Sequence, residues 1–108
     1  MHVGGLKMNP QSFGQYIRDL RLKKGWTQND LCEKADITFT YLSKIENNKA
    51  APPSEDVLIR MAVSLGENPH RLIVKAGKVP SDFQQIITSD EDTFQYLERK
   101  FRKRSSSS

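Results

Sequence analysis

The feature that most constrains the fold is a pair of short helical patterns separated by only a few residues. In TQNDLCEKADITFTYLSKIENNK, residues 27–49, one pattern begins after Thr27 and the next after Thr38, with Asp36 and Ile37 between them. A threonine at such a position accepts a hydrogen bond from a free N–H group in the first turn of a helix. Helix signals of this kind recur along the chain with short spacers and without strand-like alternation. The sequence therefore predicts an all-α fold.

Five helices are predicted in the body of the chain, and two weaker ones follow. In the first helix Phe13, Tyr16, Ile17 and Leu20 form one apolar stripe, because they are spaced i, i+3, i+4 and i+7. The five helices are expected to start at Asn9 or Ser12, Thr27, Thr38, Ser54 and Asn68, and to end near Lys24, Ala35, Asn47, Gly66 and Gly77. The weaker helices start from Pro80 or Ser81 and from Ser89 or Asp90.

Length and composition limit the class of protein. A chain of 108 residues can bury one modest core, and 36% hydrophobic with 28% charged residues is ordinary for a globular protein. No apolar run approaches the length of about 18 residues that a membrane-spanning helix needs. The first seven residues lack the apolar segment of a secretion signal, and the lone Cys32 cannot form an internal disulfide. We therefore expect a cytoplasmic protein without a membrane partner.

The sequence offers little catalytic chemistry. Its two histidines are His2 and His70, and neither belongs to a nucleophile–base pair or to a set of metal ligands. Gly4 and Gly5 stand alone and do not form a glycine-rich phosphate loop. Cys32 takes an inward helical position, where a buried small thiol is the ordinary interpretation. We expect no enzymatic activity, no catalytic or metal-binding residue and no cofactor.

Charge is distributed unevenly along the chain. Residues 8–78 carry a net charge of +3, residues 79–98 carry −5, and residues 99–104 carry +5. The basic end is either a solvated helix terminus that suits the helix dipole or an additional contact to phosphate. Apolar residues of the C-terminal third either cover the body or form a dimer interface. The segments expected are a flexible leader (1–7), a body (8–78), a helical extension (79–104) and a disordered tail (105–108).

The outward face of the third predicted helix differs from an ordinary solvated face. Successive helical residues lie about 100° apart, so Leu42 and Ile45 place the buried direction close to that of Thr38. The opposite side carries Phe39, Thr40, Ser43, Lys44 and Asn47 rather than the usual Glu, Lys and Gln. Short hydrogen-bonding groups with one cation and one aromatic ring suit the edges of bases and the thymine methyl group. Alternatively, Phe39 packs against the C-terminal helices or a second subunit.

The sequence resembles the helix-turn-helix regulators of the phage repressor and Cro type, also called the xenobiotic response element family. The resemblance covers about 60 residues, from Phe13 to Leu72. It is carried by Ile17-Arg18, Leu20-Arg21, Thr27-Gln28, Leu31, Tyr41-Leu42-Ser43, Ile45-Glu46 and Pro53-Ser54. It implies a five-helix, lambda-repressor-like DNA-binding bundle, here with one or two extra C-terminal helices. Helix 3 would enter the major groove while helix 2 crosses the DNA backbone.

The resemblance also implies roles for individual residues. Phe39, Thr40 and Lys44 correspond to base-reading positions, and Ser43 lies on the same surface. Arg21 and Glu46 match a structural pair that ties helix 1 to the end of helix 3, so Glu46 is not expected to read DNA. The residues that would contact phosphate or an end base are Gln28, Asn47, Lys49 and Ser54.

Two departures from the family pattern affect these expectations. Asp36 and Asn48 occupy turn positions that usually hold glycine, although both residue types tolerate left-handed backbone. Familiar members often place glutamine at the reading positions, whereas this chain has Phe39 and Thr40. No operator sequence can be transferred from them.

The function expected is that of a bacterial or phage-encoded transcriptional regulator, for example a repressor. It would bind double-stranded operator DNA sequence-specifically, as a homodimer on two half-sites. The alternative is an antitoxin-like or other protein-interaction module, whose main task is to hold a protein partner and for which DNA binding is secondary.

Overall fold

Seven helices make up the part of the chain that the computed structural model describes, residues 11–106. The prediction of an all-α fold is confirmed, since no strand occurs in this range. The helices are α1 (Phe13–Lys23), α2 (Gln28–Ala35), α3 (Phe39–Glu46), α4 (Glu55–Leu65), α5 (Pro69–Lys75), α6 (Ser81–Ser89) and α7 (Glu91–Ser106). None of them is both long and apolar enough to cross a membrane.

Capping side chains begin the first five helices at predicted positions. The side chains of Ser12, Thr27, Thr38, Ser54 and Asn68 each accept a backbone N–H from the first turn that follows. Thr27 and Asp30 cap reciprocally, because the backbone N–H of Thr27 also donates to Asp30 Oδ2 at 2.8 Å. Hydrogen bonds from the backbone and hydroxyl of Thr27 hold the pKa of Asp30 below its usual value. The alternative start at Asn9 lies outside the described residues.

The chain divides into two compact units between Lys78 and Val79. In the first unit α2 packs against α3 and α4, α1 packs against α3, and α4 packs against α5. One apolar core runs through all five helices, from Ile17 in α1 to Ala76 after α5. Its most deeply buried side chains are Ile17, Leu31, Leu42, Leu58, Met61, Leu72 and Ile73. The core packs against one side of α3, and the other side of this helix faces outward.

The backbone is left-handed at both turn positions where the family pattern usually has glycine and this chain does not. Asp36 has φ 57° at the end of α2, and Asn48 has φ 58° after α3. The expectation that these residues tolerate the conformation is confirmed. The guanidinium of Arg60 supports the first turn, because Nε donates to the carbonyl of Ala35 at 3.0 Å and Nη2 donates to that of Asp36 at 3.4 Å.

The start of α1 comes very close to the end of α3. A Cβ atom added at Gly14 would lie 2.5 Å from the carbonyl oxygen of Ile45 and 2.6 Å from that of Glu46. Asn48 joins the same two helices, since its Oδ1 accepts the backbone N–H of Gly14 at 3.0 Å and its Nδ2 donates to Ser12 Oγ at 3.1 Å. Only glycine at position 14 lets the two backbones approach this closely.

A tyrosine also ties α1 to the connection between α4 and α5. The Tyr16 hydroxyl donates a hydrogen bond to the Glu67 carboxylate, and the ammonium of Lys75 lies 5.0 Å from the centre of the Tyr16 ring. Burial and the bond to Glu67 raise the pKa of Tyr16 to about 12. The phenol therefore stays protonated and remains a donor at neutral pH.

The second unit consists of α6 and α7, which pack against each other. No residue of α6 is buried. The Asp90 carboxylate accepts the backbone N–H of Thr93 at 3.0 Å, which agrees with the prediction that the last helix starts from Ser89 or Asp90.

The end of α7 differs from the expected boundary. A disordered tail was expected from Ser105, but α7 continues through Ser106. Serine costs an existing helix only a few tenths of a kcal/mol per residue, so the helix can extend by two serines. Ser107, Ser108 and the expected leader of residues 1–7 lie outside the described residues.

We expect Gly14→Ala to lower the free energy of unfolding by about 3 kcal/mol, since the added methyl group must push apart the backbones of α1 and α3. The measurement is urea unfolding followed by circular dichroism. Arg18→Ala, on an exposed position of the same helix, serves as the control and should change stability by no more than about 0.5 kcal/mol. Equal stability of Gly14→Ala and the parent would show that the close approach does not constrain the fold.

Candidate functional site

The outward face of α3 is exposed as its periodicity requires. Leu42 is fully buried, whereas Phe39 is 51% exposed. Thr40 and Lys44 are also exposed, and Ser43 is half-buried. The structure therefore gathers the four predicted base-reading residues on one surface of one helix.

Beneath this surface, Arg21 and Glu46 form a buried ion pair with two hydrogen bonds. Arg21 Nε donates to Glu46 Oε2 at 2.8 Å, and Nη2 donates to Oε1 at 2.9 Å. The two side chains are only 8% and 3% exposed. Arg21 Nη1 also donates to the carbonyl of Trp26 at 2.8 Å. The hydrogen bond to Glu46 raises the pKa of Arg21 further, so the guanidinium stays charged despite its burial.

The same carboxylate holds Gln28 in the first turn of α2. Gln28 Nε2 donates to Glu46 Oε1 at 3.0 Å, and the side chain is half-buried. A carboxylate only accepts hydrogen bonds, so the amide nitrogen of Gln28 must face Glu46. One amide hydrogen and the carbonyl oxygen of Gln28 remain for an external group. Glu46 thus links α1, the start of α2 and the end of α3.

The other predicted contact residues lie at the ends of elements. Asn47 follows α3 and is exposed, with its Nδ2 donating to the carbonyl of Ser43 at 2.8 Å. Lys49 is exposed after the left-handed turn. The hydroxyl of Ser54 accepts the backbone N–H of Val57 at 3.5 Å and, among the described residues, shares no hydrogen bond with the outward side chains of α3.

This arrangement provides hydrogen-bonding groups of several kinds. The hydroxyls of Thr40 and Ser43 donate and accept, the ammonium of Lys44 donates, and the ring of Phe39 offers apolar contact. The Cys32 thiol is buried, and burial raises its pKa, so it remains a protonated core group as interpreted from the sequence. The surface is suited to recognition of polar edges.

Three positioning contacts were not expected from the sequence. They are the close approach of Gly14 to α3, the two hydrogen bonds of the Asn48 amide, and the bond between Gln28 and Glu46. A glycine within a helical pattern was the only local signal, since such a residue often marks a close backbone contact. For Asn48 the sequence indicates only the backbone conformation, not the contacts of its side-chain amide.

Comparison with known proteins identifies a helix-turn-helix region over more than half of the chain. The family model HTH_3, described as Helix-turn-helix, matches residues 17–72. The HTH-type transcriptional regulator SinR of Bacillus subtilis (strain 168) is 30% identical over 95 residues, which is 82% of this chain and 85% of that protein.

Two solved structures are also similar to the chain. A crystal structure of the master regulator for biofilm formation SinR in complex with DNA is 36% identical with a TM-score of 0.53, and covers 56% of this chain and 97% of that chain. A structure of a complex of SinR and SinI proteins is 27% identical with a TM-score of 0.54, and covers 86% and 98%. Because the similar proteins are transcriptional regulators, the antitoxin-like alternative is not favoured.

Replacing Glu46 by alanine should lower the free energy of unfolding by about 3 kcal/mol, since it leaves the Arg21 charge buried without its partner. The measurement is thermal and urea unfolding. Glu98→Ala is the matched control, because it removes a carboxylate from the exposed i, i+4 pair with Arg102. That loss should be within about 0.5 kcal/mol.

An unchanged melting temperature for Glu46→Ala, together with an altered base preference, would contradict this assignment. Glu46 would then contact DNA instead of holding the helices together.

Proposed function

The chain belongs to the helix-turn-helix family, and from this membership we propose that α3 is its recognition helix in the major groove of DNA. The protein is a sequence-specific DNA-binding transcriptional regulator. The observation that carries the proposal for α3 is its outward face, where Phe39 is half exposed and Thr40 and Lys44 are exposed, while Leu42 and Ile45 are buried in the core. An exposed aromatic ring among short polar side chains has no role in the core of the unit.

Base reading is assigned to four side chains of this face. Phe39 would contact a thymine methyl group, and Lys44 would donate to guanine O6 or N7. Thr40 and Ser43 can donate to or accept from base edges at short reach, although the half-burial of Ser43 limits its access. Leu42 and Ile45 fix the rotation of the helix about its axis by packing in the core.

Contacts to phosphate or to an end base are assigned to Gln28, Asn47, Lys49 and Ser54. Glu46 fixes the Gln28 amide before DNA arrives, so less side-chain entropy is lost on binding. Lys49 adds a positive charge directly after the end of α3. Contacts of this type set the register of the protein on the duplex and carry no base preference.

Assembly as a homodimer is assigned to the second unit. Apart from Pro80, every buried apolar side chain of the described residues lies between Ile17 and Ala76, so α6 and α7 bury almost nothing themselves. Two copies would then place two recognition helices on two half-sites of one operator.

The test of the reading surface is selection of bound sequences from a random DNA pool, followed by titration of variants. Phe39→Ala and Lys44→Ala should each weaken binding to the selected site by about 1–3 kcal/mol and relax preference at one or two base pairs. Binding to scrambled DNA should change much less, and the slope of log affinity against log salt should move by at most about one contact, 0.9.

Two control variants distinguish base reading from other effects. Leu22→Ala removes an apolar side chain of similar exposure, 53%, from α1 and should leave binding unchanged. Lys49→Ala should weaken binding to all sequences alike and flatten the slope of log affinity against log salt by about 0.9. If Phe39→Ala and Lys44→Ala keep the full discrimination of the parent, α3 is not the reading surface.

Removal of residues 79–108 should leave the first unit folded and abolish or weaken dimerisation, because the core lies entirely before Lys78. Circular dichroism checks the fold, and sedimentation velocity measures the assembly. An unchanged dimer would place the interface on α4 and α5, where Ile59, Val63 and Val74 are exposed.

A further inference from the structure

An apolar stripe on α7 is left open to solvent. Phe94, Leu97 and Phe101 are spaced i, i+3 and i+7 and therefore lie on one side of the helix. They are 45%, 41% and 65% exposed although α6 packs against α7. A face of this kind usually marks a contact with another molecule.

The two ends of the same helix carry opposite charges. Asp90, Glu91 and Asp92 stand at its start, whereas five cations lie within residues 99–104 near its end. A helix of 16 residues is about 24 Å long. This length exceeds the screening distance of about 8 Å at physiological salt, so each end presents its own charge to a partner.

The acidic end of α7 borders a hollow at the connection between α6 and α7. The hollow has a volume of about 560 Å³ and is lined by Ile87, Thr88, Ser89, Asp90, Glu91 and Phe94. Ile87 and Phe94 make part of it apolar, and two carboxylates stand beside them. It suits an apolar side chain that is flanked by cations, and Phe101 between Lys100 and Arg102 is such a side chain.

We propose that α7 pairs in antiparallel orientation with the α7 of a second copy of this chain, each basic end lying against the acidic end and hollow of the other. The proposal rests on the dimer assigned to the second unit and specifies its geometry. Phe101 of each copy then lies beside the hollow of the other copy. The contact is self-complementary, as a two-fold interface requires.

Charge decides the orientation of the pair. An apolar stripe alone would pack equally well in parallel or antiparallel orientation. In a parallel pair the acidic starts would lie side by side, and so would the basic ends, with repulsion at both. In an antiparallel pair both ends are attractive, and the two helix dipoles also oppose each other favourably.

Charge also favours a second copy over DNA as the partner of the basic end. Asp90, Glu91 and Asp92 at the start of α7 offer carboxylates to the cations of residues 99–104 of a second copy. DNA would satisfy the cations, but it would leave the apolar stripe uncovered and would repel the acidic end.

The experiment mixes the parent with a charge-swapped variant that carries Glu91→Lys and Asp92→Lys at the start of α7 and Arg99→Glu, Lys100→Glu, Lys103→Glu and Arg104→Glu near its end. These changes give residues 90–92 a net charge of +1 and residues 99–104 a net charge of −3. The swapped chain should form homodimers with itself, because opposite charges again meet at both ends. In an equimolar mixture at low salt, native mass spectrometry should detect the two homodimers and almost no mixed dimer, since acidic ends would then meet glutamates.

Other results would overturn the proposal. An excess of mixed dimers would show parallel pairing, and a statistical mixture would show that these charges do not set the orientation. A monomeric parent would remove the interface altogether, yet it would leave base reading by α3 intact in DNA titrations. Failure of the interface and failure of DNA recognition are therefore distinguishable.

Half-swapped variants test the two ends of α7 separately, and the variant changed only near the end keeps the acidic first turn of the helix. Glu91→Lys with Asp92→Lys, and Arg99→Glu with Lys100→Glu, Lys103→Glu and Arg104→Glu, should each raise the dissociation constant of the homodimer about tenfold or more, because like charges then meet at both ends. Mixing the two half-swapped chains should restore parent-like association. Half-swapped homodimers as tight as the parent would contradict antiparallel pairing.

Two single variants test the apolar contact. Phe101→Ala should weaken the dimer about tenfold, because it removes the ring placed beside the hollow. Tyr96→Ala is the matched control, since Tyr96 is 52% exposed but lies off the stripe. Equal effects of the two substitutions would mean that the stripe is not the contact surface.

Discussion

The buried pair of Arg21 and Glu46 is the interaction on which the candidate recognition surface depends. Burying two charges costs desolvation free energy that their attraction does little more than offset, so the pair is a weak source of net stability. Its effect is positional. Glu46 accepts from Arg21 of α1 and from Gln28 of α2 while it ends α3, so three helices meet at one carboxylate. The outward face of α3 is oriented by this junction as well as by the core.

A second set of contacts fixes the C-terminal end of the same helix. The carbonyl oxygens of Ile45 and Glu46 face Gly14 at distances that no Cβ atom could occupy. The left-handed turn at Asn48 then brings its side-chain amide back to Gly14 and Ser12. Because both junctions act on the last turn of α3, small errors in either one would tilt the whole outward face. Base reading tolerates little tilt of the helix, since hydrogen bonds to base edges depend on distance and angle.

The two units differ in how far they bury their apolar residues. The first unit buries a continuous core from Ile17 to Ala76 and exposes the polar face of α3. The second unit has opposite charges at the ends of α7 and an apolar stripe between them. The first unit thus presents a surface held rigidly by its core, whereas in the proposed assembly a second copy would cover the stripe that the second unit exposes. The proposed division into a reading unit and an assembly unit follows from this difference.

Local interactions were predictable from the sequence, and contacts between distant residues were not. Caps such as Thr27 and Thr38 act within three residues, and the outward direction of Phe39, Thr40 and Lys44 follows from helical periodicity. Arg21 was paired with Glu46 only through the family resemblance, because the pattern of α1 does not separate it from its other cations. Gly14, Asn48 and Gln28 act on partners 18 to 36 residues away in the chain, such as Glu46 and Ser12. The sequence determined which helices form and which residues of α3 face outward. The tertiary structure alone decided how closely α1 approaches α3 and which way the Gln28 amide points, because both depend on packing between helices that no local pattern encodes.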